Sequence, residues 1–234
     1  QTTGEISDRF DVFFVPAGYV FSIWGLIYLA LLTYTIYQAL PSQRENGHLR
    51  RIGYLYVLSC LANVAWLFLW HYELFALTLV VMVALLSLLI TIYLRLEIGR
   101  VRVTSSETWL VRMPFSIYLG WITVATVANA TSLLAYWHWS GWGIGPHMWA
   151  AIMLAVAGFI ASAVSISRGD IAYVLVIVWA VVGIAVKHSG TPSVAATAWV
   201  VAAIVALTLI VGVRRTGRRL QRGMAGSPAI RDRW

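Results

Sequence analysis

Three stretches of the chain carry aromatic and amide side chains at helical spacing. Phe21, Trp24 and Tyr28 follow one another at intervals of three and four, Asn63 and Trp66 are three apart, and Tyr118, Trp121, Ala125 and Asn129 run at three, four and four. Residues so spaced share one face of a helix. Indole and phenol rings offer broad, rigid contact area to a flat apolar molecule, and a few polar groups among them can orient it. An asparagine in an apolar setting is costly unless its amide meets a backbone group, another side chain or a ligand. The chemistry implied is recognition of a planar, hydrophobic guest rather than bond making. The same rings would also serve as bundle core or, for Trp70, Trp109, Trp137, Trp139 and Trp142, as an interfacial belt.

Other chemistries find little support. Cys60 is the single cysteine, which leaves no intrachain disulfide and no cysteine-based zinc site. His48, His71, His138, His147 and His188 fall at expected loops or helix ends, and no two share the i, i+4 spacing of a helical metal site. A Schiff-base protein of the retinal type needs a lysine deep in its last helix, whereas Lys187, the only lysine, falls at the end of an apolar run. Apart from Arg112 and Lys187 near run ends, no Asp, Glu, Lys or Arg interrupts these runs, although proton-coupled carriers keep an ionisable relay at depth. No catalytic residue, no metal site and no enzymatic activity are predicted.

The elements that must position the rings are membrane helices. The chain is 60% hydrophobic and 11% charged, with a mean hydropathy of +0.79, against roughly 25% charged residues in a soluble domain. Crossing the hydrocarbon takes about 20 apolar residues. Seven runs qualify, at about 15–40, 52–70, 74–94, 113–137, 148–167, 171–186 and 194–213, called spans A to G. Continuous apolar runs read as helices rather than barrel strands, which must alternate. The expected fold is an all-α polytopic transmembrane helix bundle of seven spans: an aromatic half at 1–136, three Ala/Val-rich helices at 137–213 and a basic tail at 214–234. The tail after Val213 is expected to be mobile at an anionic membrane surface.

Net charge is +8, and its placement argues against nucleic acid as a partner. Fifteen basic residues lie in the A–B, C–D and E–F connections and the tail; only Arg9 and Lys187 lie on the other side. By the positive-inside rule the C-terminus is cytoplasmic and residue 1 outside, and the expected location is a bacterial plasma membrane. The opening QTTGEISDRFD has no signal-peptide character, so a cleaved signal or an upstream helix is expected to have delivered it.

Span A reads VPAGYVFSIWGLIYL, span B reads LANVAWLFLW and span D reads IYLGWITVATVANA. In that order, with a plain apolar helix between the second and third, these stretches resemble the TspO/translocator-protein family, the tryptophan-rich sensory proteins, over residues 13–134. The resemblance implies a pocket lined by Pro16, Tyr19, Phe21, Trp24, Tyr28, Asn63, Trp66, Tyr118, Trp121, Ala125 and Asn129. Family members are five-helix membrane proteins that bind porphyrins and other flat hydrophobic ligands, including sterols in some cases. It therefore implies a bound porphyrin or other tetrapyrrole, no required cofactor, and a first helix upstream of Gln1.

This chain departs from the family pattern at several points. Tyr19 stands where the family usually has a tryptophan, Ile117 replaces the proline before Tyr118, and the second aromatic after Trp66 is only partly kept by Phe68 and Trp70. Porphyrin degradation, proposed for some members, rests on the missing tryptophan, so the resemblance implies binding rather than catalysis. Spans E to G have no counterpart in the five-helix members, and the chain resembles an extended branch in which residues 147–213 face lipid, a second copy or a membrane-complex partner. The function expected is that of an integral membrane binding or sensory protein. The alternatives are a transporter or permease component, for which inverted repeats or matching broken helices would be the sign, and a structural subunit of a larger membrane complex.

Overall fold

A computed structural model describes residues 1–225; the basic residues Arg231 and Arg233 of the expected tail lie outside the described range. The described residues form an all-α bundle. A short helix α1 (Thr3–Ser7) precedes a single-turn 3-10 segment (Gly18–Ser22) that runs into α2 (Ile23–Ala39). Then come α3 (Gly47–Ile52), α4 (Leu55–His71), α5 (Phe75–Arg95), the three-residue α6 (Ser105–Glu107), α7 (Met113–Tyr136), α8 (Pro146–Arg168), α9 (Ile171–Lys187) and α10 (Pro192–Ala225).

Apolar helices stand at all seven expected positions, but their lengths differ from a uniform set of seven spans. Five segments are long and apolar enough to cross a membrane, while Leu55–His71 and Ile171–Lys187 are shorter. At 1.5 Å per residue these two reach about 25 Å, against roughly 30 Å of hydrocarbon. Past Val213, where the basic tail was expected to begin, α10 continues as helix to Ala225.

Local chemistry sets the boundaries. Asn46 caps α3 by accepting from the backbone N–H of His48 and Leu49, and Asp170 caps α9 by accepting from the N–H of Tyr173. Gly169 ends α8 in the left-handed conformation (φ 62°) that glycine adopts without a Cβ penalty. Between α6 and α7 the helix widens into a π turn at Thr108–Arg112. Pro114 follows immediately and has no N–H to donate to Leu110, which accounts for the break in the ordinary i to i−4 ladder there.

α7 is the axis of the bundle. Its segment is 61% buried, against 28% to 33% for the other four long spans. α5 and α9 pack along it, α2 leans on it, α4 pairs with α5, and α8 and α10 pair with each other beside α9. Small residues permit the α8–α10 approach: a Cβ on Gly158 would meet Val201, and one on Gly212 would overlap the Ser165 backbone.

Candidate functional site

The aromatic residues of α2, α4 and α7 converge near one end of the bundle. Tyr28, Trp24, Trp66 and Trp70 form a single stacked column, with successive centroids 5.5, 5.8 and 5.7 Å apart and planes within 27° of parallel. Trp121 of α7 stands edge-on to this column, 6.1 Å from Trp24, and Phe21 packs against it at 5.7 Å. Such offset and edge-to-face contacts are the favourable arrangements for aromatic quadrupoles.

Seven of the expected pocket residues line one void: Pro16, Phe21, Trp24, Trp66, Trp121, Ala125 and Asn129. The void has a volume of about 30 Å³, and Thr3 and Ser7 of α1 close it over. Tyr118 is buried beside Trp24 at 6.3 Å and does not reach the void. Tyr28, half exposed at the end of the column, donates to Asn63 Oδ1 at 3.3 Å. Tyr19 points elsewhere, edge-on to Trp179 of α9 at 5.3 Å.

That displacement of Tyr19 follows from how the proline turn docks. Ala17 N donates to Gly183 O of α9 at 3.2 Å, and Trp179 Nε1 donates to Val20 O at 3.4 Å. Pro16 and Val20 lie where a Cβ on Gly183 would have to go. The turn thus leans on α9, and its exposed tyrosine follows.

Sequence spacing missed Trp70 and Ser132, which also line the void. The signal was present, since Trp70 lies four residues after Trp66 and Ser132 three after Asn129. Thr3 and Ser7 carried no comparable signal, because their helix lies outside the motif-bearing stretches.

The site is rich in unmet donors. Among the described residues, Asn63 Nδ2, Trp66 Nε1, Trp121 Nε1 and Asn129 Nδ2 are buried without a hydrogen-bond partner, as is Ser132 Oγ. Thr78 Oγ1, which lies 2.7 Å from Phe75 O, is also 3.2 Å from the side-chain amide of Asn129. Each buried polar group left unpaired costs about 1–3 kcal/mol.

A family model described as TSPO-like protein matches residues 1–211. The chain belongs to the TSPO-like protein family. The match runs beyond the stretch 13–134 that carries the motifs, through α8 and α9 and into α10, so the family's span takes in those helices too. No curated protein and no solved structure matches the chain. The TSPO-like protein is thus a membrane protein in which the motif-bearing helices bring their rings into one cluster.

α1 covers this cluster through polar and charged tethers. Trp70 Nε1 donates to Thr3 O at 3.3 Å, Arg9 pairs with Glu73 at 2.9 Å, and Asp8 pairs with Lys187 at the end of α9. Nearby, the ring of Phe13 lies between His147 and His188, at 4.6 and 5.2 Å. Burial, reinforced by the adjacent Lys187 charge, lowers the pKa of His188.

Proposed function

We propose that this protein is a membrane binding or sensory protein of the TspO type that holds a flat hydrophobic ligand, a tetrapyrrole above all, among Phe21, Trp24, Trp66, Trp121 and Asn129. The observation that carries this reading is the set of three unpartnered N–H groups, on Trp66, Trp121 and Asn129, that belong to residues lining one void. A planar molecule with acceptor atoms at its edge would stack on the indoles and satisfy those donors together.

Ligand pockets usually measure about 300–1,000 Å³, and the void of about 30 Å³ has room for little more than one water. Entry therefore requires the cover to lift. The Arg9–Glu73 and Asp8–Lys187 pairs tether that cover; exposed ion pairs are worth about 0–1 kcal/mol each. Uptake would couple occupancy of the aromatic site to release of α1, which is what a sensor needs. In this reading all seven apolar helices cross the membrane and the aromatic end faces outward.

Titration with protoporphyrin tests the proposal by intrinsic tryptophan fluorescence. Saturable quenching is expected in the unaltered protein and its loss in both Trp24→Ala and Asn129→Leu. Quenching that survives unchanged in both variants would place the ligand elsewhere.

A further inference from the structure

A second cavity, of about 900 Å³, lies against the other end of α7, where Met113, Ser116 and Ile117 line it. One part is apolar and runs between α2 and α9 along Ile23, Leu26, Leu175 and Trp179. Leu26 and Leu175 are about half exposed, so this part opens sideways, toward the surface that lipid would cover. The other part gathers Arg102, Arg112 and Arg168, which come from the α5–α6 connection, the π turn and the end of α8.

Arg112 is the decisive residue. It is only 7% exposed, and its Nη1 donates to Val101 O at 2.6 Å. Its Nε and Nη2, the adjacent pair on one edge of the guanidinium, have no partner among the described residues. The carboxylates around it are committed to other groups. Asp170 accepts from Ser116 Oγ at 2.6 Å and from Tyr173 N, Glu107 pairs with His48, and Glu97 pairs with Arg51 at 2.9 Å. Arg168 donates to Ile98 O at 3.2 Å and lies over the Tyr93 ring. Three arginines against one committed aspartate leave the polar end of the cavity with net positive charge. Turned toward the cleft by a side-chain rotation, this buried fork edge with its two unmet donors matches a tetrahedral or planar oxyanion in bidentate fashion.

We propose that this cleft binds an anionic phospholipid, its phosphate on the free edge of Arg112 with Arg102 and Arg168 beside it, and an acyl chain along the wall between α2 and α9. A free anion would satisfy the arginines but leave the apolar wall unused. A zwitterionic lipid would fill the wall but bring a further cation among three arginines. Only an anionic amphiphile matches both parts. The site is separate from the aromatic cluster, with which it shares none of its lining residues.

The test uses the full chain, delipidated in detergent, with thermal unfolding and native mass spectrometry as readouts. Phosphatidylglycerol is expected to raise the melting temperature saturably and to survive as a mass adduct, whereas phosphatidylcholine and millimolar inorganic phosphate do neither. Arg112→Gln should weaken phosphatidylglycerol binding by about tenfold or more, the loss of charge-assisted hydrogen bonds. Leu175→Trp, which fills the apolar wall without touching a charge, should weaken it as well and serves if the arginine variant does not fold. Equal stabilisation by phosphatidylcholine would overturn the role of the arginines. Equal stabilisation by phosphate alone would reduce the cleft to a free-anion site. Unchanged phosphatidylglycerol binding in the variants that fold would remove the lipid from this cleft altogether.

Discussion

The two ends of α7 meet the same physical problem in opposite ways. At the aromatic end, Trp66, Trp121, Asn63 and Asn129 hold buried N–H groups without acceptors, and rings pack the surrounding space down to about 30 Å³. At the arginine end, Arg112 also holds unmet N–H groups, but beside them stands an open cleft of about 900 Å³. Both ends call for an acceptor. The second needs only the Arg112 side chain to turn its free edge toward the cleft that the residue lines, whereas occupancy of the aromatic end must displace α1 or part the ring column.

Removing a ring gives the largest way to break this contrast. Trp66 is 5% exposed and stacks between Trp24 and Trp70. Trp66→Ala should destabilise the fold by about 3–5 kcal/mol, the usual cost of deleting a buried large aromatic, read as a drop in melting temperature in detergent. It should leave phosphatidylglycerol binding intact. A loss of both properties together would mean that the two ends are not independent.

A change on α9 probes the dock between the ends. Gly183 leaves space for Pro16 and Val20, and Ala17 hydrogen-bonds to its carbonyl. Gly183→Val should push the proline turn off α9 at a cost of about 1–3 kcal/mol from overpacking. Tyr19 would lose its contact with Trp179, and the tryptophan emission spectrum should shift with it. An unaltered spectrum and melting temperature would show that the turn is held from its other side.

The helices and the ring cluster were legible in the sequence because each rests on a local rule. Apolar runs of the right length make spans, and three-and-four spacing puts Trp24, Trp121 and Asn129 on faces that converge on one void. What spacing could not give depends on contacts between distant segments. Tyr19 turns outward because Gly183, far along the chain, receives the proline turn. Thr3 and Ser7 close the void from a helix too short to show a period. Spans E to G seemed to fall outside the family on motif grounds, yet the match extends to residue 211, since a family profile reads weak similarity along whole helices and not only quoted motifs. The arginine cleft was read only as loop charge. Its residues come from three separate elements, brought together where the α5–α6 connection meets the end of α8 through Arg168 and Ile98 and the π turn through Arg112 and Val101.

The smallest expected effect is a pH dependence confined to the aromatic end. His188 follows α9, in ring contact with Phe13, and burial together with the Lys187 charge disfavours its protonated form, only partly opposed by Asp11 and the Val15 backbone. A histidine whose pKa is lower in the folded state binds fewer protons there than in the unfolded chain, so stability rises with pH across the window between the two values. The contribution is neutral above the unfolded value of about 6.5 and becomes a penalty as pH falls below it. A His188→Gln variant keeps every other histidine, so the difference between the two proteins isolates this residue. Melting temperatures measured from pH 7.5 down to 5.5 should fall more steeply in the unaltered protein than in the variant. Parallel curves would mean that the acid sensitivity lies elsewhere than at His188.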